Sequence, residues 1–333
     1  MNKKAILLLS GGLDSILATR IMQEQGVEIL CMNFYIDFAV CGGKGAIGAA
    51  QRAAKALNVG LETVDITKEY LEVFKSPKHG YGANINPCID CKIFMLKKAK
   101  ERMKEVGASF LVTGEVLGER PMSQRKDALN LIEKQADVRG ILLRPLSAKL
   151  LEPTLAENEG LVDREKLLDI RGRSRKPQMA LAEKFGIKEY PQPAGGCLLT
   201  DPGFANRVKD LIKHGALTIE NLRLLKAGRH FRLTDGAKLA IGRDNMDNEE
   251  LMSLAGPEDI LFKLKDRQGP LSILRGKCDD SVIAHAASVI AYHTKFRNEA
   301  VLDVNYWKLG DHDRRSAISV KPASTTEVDK LRI

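Results

Sequence analysis

The chain lacks most of what would place it in or on a membrane. No apolar stretch in its 333 residues approaches the length of a membrane span. The opening Met1-Asn2-Lys3-Lys4 and the apolar run behind it imitate an export signal. Ser-Gly-Gly-Leu-Asp interrupts that run after Leu9, however, and no small-residue cleavage site follows. A cytoplasmic protein without a membrane partner is expected. Six cysteines are too few for a disulfide scaffold in so long a chain, and in a reducing compartment they read as metal or redox chemistry. Internal repeats, low-complexity tracts and a polybasic tail are also missing. The net charge of +9 is spread out: basic residues outnumber acidic ones by 30 to 24 before residue 201 and by 22 to 19 after it. Such a surface favours a polyanionic partner without by itself naming nucleic acid.

What is there begins at once. Ile6-Leu7-Leu8-Leu9 reads as a buried parallel-type strand, Ser10-Gly11-Gly12 as a turn, and residues 16–22 as a helix. The turn is neither a Walker loop, since no Gly-Lys-Ser/Thr follows, nor a Gly-x-Gly-x-x-Gly dinucleotide fingerprint. Strand, glycine turn and helix N-terminus together make an anion cradle. Backbone N–H groups approach closely at Gly11 and Gly12, Ser10 and Ser15 add hydroxyl donors, and Asp14 suits magnesium. Further strands are expected at 26–34, 61–66, 110–114 and 141–146. Helices are expected at 46–57, 93–106 and, with many basic residues, 163–186. That alternation implies an α/β fold with a doubly wound parallel sheet over residues 1–200 and ligands beyond the strand carboxyl ends. The Pro and Gly residues at 191–196 and Pro202 put a boundary there, followed by a helical connector over 201–227 and a smaller α+β domain over 228–325.

Cys88 and Cys91 form a C-x-x-C at the mouth of a helix, a position that lowers thiol pKa. Cys197 follows a Gly-Gly turn at the far end of the same domain, and a doubly wound fold can bring both to one sheet edge. Three thiolates leave one position of a 4Fe-4S cubane open. Zinc with His79 as a fourth ligand, or a persulfide and resolving pair without metal, are the other readings. Cys31, Cys41 and Cys278 read as ordinary cysteines.

SGGLDS resembles the pyrophosphate loop of the ATP pyrophosphatases. With Asn86-Pro87-Cys88-x-x-Cys91 and Thr113-Gly114-Glu115-Val116-Leu117-Gly118-Glu119-Arg120, the first 200 residues resemble the tRNA thiouridine synthases, the last block being closest to the 4-thiouridine enzymes. The resemblance implies a transferase that binds ATP and magnesium at Ser10, Gly11, Gly12, Asp14 and Ser15, with Asn33, Thr113, Gly114 and Gln124 completing the nucleotide site. It implies adenylation of a uridine oxygen on tRNA, then displacement of AMP by sulfur. Asp14, Cys88 and Cys197 would be catalytic, and Cys88, Cys91 and Cys197 would hold the cluster or relay sulfur from a donor, either sulfide or a desulfurase persulfide. Arg144, Arg171, Arg173, Arg175 and Lys176 would meet tRNA phosphates.

Residues 228–320 are similar to the RNA-binding domain of the NFACT family, on the blocks Leu239-Ala240-Ile241-Gly242-Arg243-Asp244-Asn245 and Ala291-Tyr292-His293-Thr294-Lys295-Phe296-Arg297-Asn298. The stretch 260–265 alternates as a strand with one basic face, and 281–296 makes an amphipathic helix. Arg243, Lys263, Lys265, Arg275, Lys295 and Arg297 are then phosphate contacts, and Phe262, Tyr292 or His293 stack on bases. Two other functions compete. An amidating ligase on a small molecule would give the three cysteines no role, and a catalytically silent RNA- or ribosome-binding protein would not need an intact SGGLDS.

Overall fold

The computed structural model describes residues 2–39, 45–82, 84–190, 197–310 and 315–333. The Cys41-Gly42-Gly43 loop and the Pro-Gly run at 191–196 lie outside the described residues. The chain divides into two compact units, Met1–Thr200 and Asp201–Ile333. Among the described residues, no helix is long and apolar enough to cross a membrane.

The N-terminal unit runs β1 (Lys4–Leu8), α1 (Leu13–Glu24), β2 (Glu28–Tyr35), α2 (Gly45–Leu57), β3 (Gly60–Asp65), α3 (Thr67–Lys75), α4 (Cys88–Glu105), β4 (Phe110–Thr113), α5 (Lys126–Ala136), β5 (Leu142–Leu143), α6 (Leu155–Asn158) and α7 (Lys176–Lys184). Its sheet has the order β3-β2-β1-β4-β5 with every pair parallel, as the alternation of strands and helices requires. The two-residue side-chain period sorts the central strands between two cores. Ala5, Leu7, Phe110 and Val112 face α1 and α7, whereas Ile6 and Leu111 face α4 and α5. Both faces are covered, which is why these strands read as unbroken apolar runs. Strand order reverses between β1 and β4, so the crevice for a ligand opens at the carboxyl ends of those two strands.

Several local expectations are corrected. α4 starts at Cys88, not near residue 93, with Pro87 as its N-cap. The last strand keeps only Leu142–Leu143. The expected helix over 163–186 shrinks to a 3-10 turn at Arg164–Lys166 and α7. Between them the chain runs beside the 117–118 turn, where Gly172 N–H donates to the Leu117 carbonyl at 2.7 Å and Gly172 has φ 82°.

The C-terminal unit runs α8 (Pro202–Lys213), α9 (Ile219–Leu224), β6 (Arg229–Thr234), β7 (Ala237–Ile241), α10 (Asn245–Leu254), β8 (Ile260–Leu264), β9 (Ser272–Gly276), α11 (Asp280–Tyr292), β10 (Leu302–Lys308), β11 (Ser316–Val320) and α12 (Thr325–Leu331). Its sheet, β11-β10-β8-β9-β7-β6, is antiparallel throughout. On one face Phe231, Leu239, Phe262 and Leu274 pack under α11 and α12. On the other, Ala240, Leu261, Ile273 and Trp307 pack with Leu224 of α9 and Leu251 of α10. β8 therefore has no open basic face: of Ile260–Leu264 only Lys263 is exposed. Phe262 is 0% exposed and is unavailable for stacking on a base.

Candidate active site

The glycine-rich loop is held from both sides by backbone that tolerates no side chain. Gly11 has φ 78°, and a Cβ there would stand 2.5 Å from the Ala49 carbonyl carbon in α2. Across the loop, a Cβ on Gly114 at the end of β4 would stand 2.5 Å from the carbonyl carbon of Asp14. Only glycine permits these approaches, which press the first turn of α1 against β4. Gly12 caps α1, the Ser15 hydroxyl donates to the Gly12 carbonyl at 2.8 Å, and the Ser10 and Ser15 hydroxyls lie 3.3 Å apart. The two serines thus brace the loop on the side where an anion would sit.

A cavity of about 270 Å³ opens at the strand-order reversal. Of the residues assigned to the nucleotide site, Ser10, Gly12, Asp14, Ser15, Thr113, Gly114 and Gln124 line it, and Gly11, turned against α2, does not. Asn33 does not line it; its amide donates to the Leu9 carbonyl at 2.9 Å and steadies the strand end that leads into the loop. Gln124 also accepts from the Arg120 N–H at 2.8 Å, which closes the 120–124 turn over the cavity.

Four charged residues that the sequence did not assign complete the lining: Lys92, Glu115, Glu119 and Arg120. Burial raises the Asp14 carboxyl above its ordinary range, while Arg175, Gln178 and Arg120 pull the other way. Its Oδ1 is buried with no hydrogen-bond partner. Burial and the nearby Asp14 likewise raise Glu119. Glu115 behaves oppositely. Burial works to raise it, but Lys92 and Arg144 hold it down to about 2. The chemistry available is that of a backbone anion cradle in a cavity of mixed charge, with an unpartnered carboxylate oxygen beside it, a donor suited to a hard divalent cation.

Arg144 is the clearest correction among the expected RNA contacts. Its side chain is 1% exposed, with Nε 2.8 Å from Glu115 and a second ion pair to Glu133. A guanidinium so enclosed neutralises the carboxylates that flank the cavity and cannot reach a tRNA phosphate. Arg175, also expected on the RNA face, is half-buried and near enough to Asp14 for its charge to lower that carboxyl. Arg171, Arg173 and Lys176 are exposed.

The cysteines converge elsewhere in the unit. Cys88 and Cys91 form the first turn of α4. Asp90, buried between them, accepts from the backbone N–H groups of Lys78 (3.2 Å) and His79 (3.0 Å), folding that loop onto the helix. His79 Nδ1 lies 3.0 Å from Asp90 Oδ1, so this nitrogen is committed to the loop and not to a zinc ion. Cys197 leads into a 3-10 turn at Leu198–Thr200, tied down by Ile85 N–H to the Leu199 carbonyl (3.3 Å) and by the Asn84 amide to the Thr200 carbonyl (2.6 Å). Tyr70 of α3 stands at the centre, in an aromatic cluster with Phe38, Phe74 and Phe94 at ring separations of 6.0, 6.5 and 6.4 Å. Its phenol donates to the Cys91 sulfur. Burial holds the phenol well above its usual range, and the thiols of Cys91, Cys197 and Cys88, all close by, push the same way.

The helix start does not lower the Cys91 thiol as expected. Burial pushes it up to about 11, against the pull of Tyr70. Cys31 is an ordinary core cysteine, pushed up to about 12 by burial. Among the described residues, no three Cys, His, Asp or Glu side chains stand close enough together to hold a metal ion as they are.

Arg243 is half engaged, its guanidinium paired with Asp247, and Arg275 is tied to Asp259 at 2.6 Å. Lys263, Lys265 and Arg297 are exposed. No signal short of the fold would single out Tyr70. Glu115, Glu119 and Arg120 do stand in the Thr113–Arg120 block that carried the family resemblance, without a role there.

Comparison with known proteins bears out both resemblances. Residues 1–149 match the family described as thiamine biosynthesis protein (ThiI), and residues 228–332 match the NFACT protein RNA-binding domain. A tRNA-specific 2-thiouridylase MnmA from Clostridium acetobutylicum is 30% identical over 131 residues, covering 34% of this chain and 36% of the relative. Another, from Methylobacillus flagellatus, is 26% identical over 299 residues, covering 85% of this chain and 80% of the relative. The chain thus spans little more than a third of the first relative's length. Among solved structures, a 4-thiouridine synthetase bound to RNA and ATP aligns with a TM-score of 0.36 at 23% identity, covering 55% of this chain and 51% of that one.

Proposed function

We propose that the chain is an ATP-dependent tRNA sulfurtransferase, which adenylates a uridine carbonyl oxygen and then exchanges that oxygen for sulfur. One observation carries this reading. α4 joins the two chemical neighbourhoods, opening with Cys88 and Cys91 beside Tyr70 and Cys197 and sending Lys92 into the loop cavity. An activating site for phosphate that shares a helix with a group of thiols has a use for sulfur. An amidating ligase would leave those thiols idle. The two family matches and the thiouridylase relatives support tRNA as the substrate.

In this mechanism the loop amides and the N-terminus of α1 receive the phosphate chain; Ser10 donates to its oxygens, and Ser15 does so once its hydroxyl turns away from the Gly12 carbonyl. The uridine oxygen attacks the α-phosphorus, and the bond to pyrophosphate breaks. Arg120, in the cavity wall, meets the charge that develops on the leaving pyrophosphate. The unpartnered Asp14 Oδ1 is the ligand atom available to magnesium. Glu115, kept ionised by Lys92 and Arg144, fixes Lys92 at the cavity wall. Sulfur then adds at the activated ring carbon, and the carbon–oxygen bond to AMP breaks. Cys88, Cys91 and Cys197 are the soft donor set for a 4Fe-4S cluster, which when bound supplies one iron open to sulfide. Arg171, Arg173 and Lys176 face solvent and would meet tRNA phosphates, each adding salt-dependent affinity.

The test is anaerobic turnover of unmodified tRNA with ATP, magnesium and sulfide. Thiouridine should appear on an organomercury gel in step with AMP and pyrophosphate. Iron analysis should return about four irons per chain, lost in Cys88→Ala, Cys91→Ala and Cys197→Ala alike. Thiolation by iron-free protein under these conditions would remove the cluster from the mechanism and leave free sulfide as the attacking nucleophile. Pyrophosphate release that requires ammonia and ignores tRNA would overturn the proposal.

A further inference from the structure

The C-terminal unit contains a cavity of about 600 Å³ that gathers four of the residues expected to meet RNA, Arg243, Lys263, His293 and Lys295. It opens where β7 passes into α10, at the turn after β8 and at the end of α11. Its lining includes five cations, Arg229, Arg243, Lys263, Arg267 and Lys295, and a single carboxylate, Asp244. Asp244 is occupied in capping α10, accepting from the Asp247 N–H at 2.9 Å. Arg243 is paired with Asp247, and Arg267 with Glu299 at 2.7 Å. Arg229, Lys263 and Lys295 have no carboxylate partner among the described residues.

His293 also lines the cavity, with ring centroids 5.2 Å from Phe231 and 5.1 Å from Tyr292. Its Nε2 is buried with no hydrogen-bond partner. Burial, helped by Arg229 and Arg332, pushes its pKa down to about 4, so the ring is neutral at pH 7. A neutral aromatic ring with an unfilled nitrogen, beside three unpaired cations, suits a ligand that is anionic at one end and a planar hydrogen-bonding ring at the other. A duplex offers phosphates to a surface, but only an unpaired strand can turn a base into a concavity.

We propose that this cavity receives one nucleotide of a single-stranded RNA segment, its phosphates held by Arg229, Lys263 and Lys295 and its base set against His293. The proposal rests on reading residues 228–332 as an RNA-binding module and says where, and in what conformation, the RNA is gripped.

The experiment uses the full chain and fluorescence anisotropy with two labelled RNAs of equal length, one unstructured and one a fully paired hairpin, titrated with salt. The unstructured RNA should bind more tightly. The triple variant Arg229→Gln, Lys263→Gln, Lys295→Gln should weaken it by about tenfold or more and flatten the log–log salt slope by about 2, at roughly 0.7 for each phosphate no longer neutralised. His293→Ala should weaken the same RNA about five- to tenfold with the slope unchanged, as removal of a stacking partner does. A nucleoside monophosphate should compete better than inorganic phosphate. A second triple variant, Lys277→Gln, Lys321→Gln, Lys330→Gln, removes the same charge from exposed positions outside the cavity lining and should bind nearly as wild type. Equal weakening in the two triple variants, an indifferent His293→Ala, or equal competition by inorganic phosphate would each overturn the cavity proposal while leaving the module an RNA binder. Failure of the wild-type chain to bind either RNA would overturn the module reading as well.

Discussion

In the N-terminal unit the cavity beside the glycine-rich loop mixes its charges, with Asp14, Glu115 and Glu119 set against Lys92 and Arg120. In the C-terminal unit the cavity has five cations to one carboxylate, and that carboxylate is used in a helix cap. Both can attract phosphate, but they are suited to different work. Carboxylates beside a phosphate cradle weaken simple anion binding and are useful where a cation must sit with the phosphate and charge must move during a reaction. A cavity of nearly unopposed cations draws affinity and salt dependence from every phosphate it meets, and nothing in it activates a bond. On the proposed reading the first cavity is the place for the chemistry and the second the place where RNA is held.

The largest expected effect separates two arginines that look alike in sequence. Arg144→Met should cost about 3–5 kcal/mol in denaturant unfolding, because it strands Glu115 and Glu133 without their buried partner. Its RNA salt slope should stay at the wild-type value. A stable Arg144→Met with a flattened slope would put Arg144 back among the phosphate contacts. The same network should make the N-terminal unit acid-sensitive. Glu115 has its folded pKa depressed to about 2, against about 4.3 unfolded. Its contribution is therefore complete above the unfolded value and is lost as pH falls from there toward 2. Glu115→Gln should abolish that part of the pH dependence.

Next in size is Asp14→Asn, which on the proposed mechanism should lower ATP-dependent pyrophosphate release by about a hundredfold or more by removing the carboxylate available to magnesium. Its stability should move the other way. The Asp14 carboxyl is raised in the folded state, so it disfavours folding once ionised. Asp14→Asn should then melt higher than wild type at pH 7, with the difference vanishing at low pH. An unchanged pH profile of melting would remove Asp14 from the buried, unpartnered state described here.

Gly114→Ala should cost about 1–3 kcal/mol, since its Cβ meets backbone, not a movable side chain. Calorimetry should also show weaker ATP binding, as the loop is pushed off β4. The smallest effect expected is Tyr70→Phe. It keeps the ring packing against Phe38, Phe74 and Phe94 and removes one hydrogen bond to Cys91, a loss of about 1 kcal/mol in thermal unfolding.

The central sheet and its loop were readable because their signals are local. Unbroken apolar runs at β1 and β4 follow from burial on both faces, and Gly11 and Gly114 stand where backbone meets backbone. Other elements were misread for reasons that can be named. α3 went unnoticed, although Tyr70, Leu71 and Phe74 have helical spacing, because nine residues make a weak periodic signal. The start of α4 looked like loop because Asn86-Pro87 precedes it, yet proline before the first turn is compatible with a helix entrance. The basic stretch 171–176 looked helical by composition, but a left-handed Gly172 held against Leu117 breaks it. Phe262 looked like a stacking residue only while β8 was thought to have an open face.

By itself the sequence determined the five strands of the parallel sheet, the position of the glycine-rich loop, the division near residue 200 and the two family resemblances. Period, glycine placement and motif spacing are properties of neighbouring residues, so a linear chain displays them. Only the tertiary structure decided what each charge does. Arg144 and Arg175 stand 31 positions apart with the same side chain. One is sealed among carboxylates, and the other is half-buried within electrostatic reach of Asp14. The fold likewise gathered Cys88, Cys91 and Cys197 around a tyrosine that no motif contains. The energy of a charge or a thiol depends on its distance to partners and on the water left around it, and both are set by residues remote in the chain.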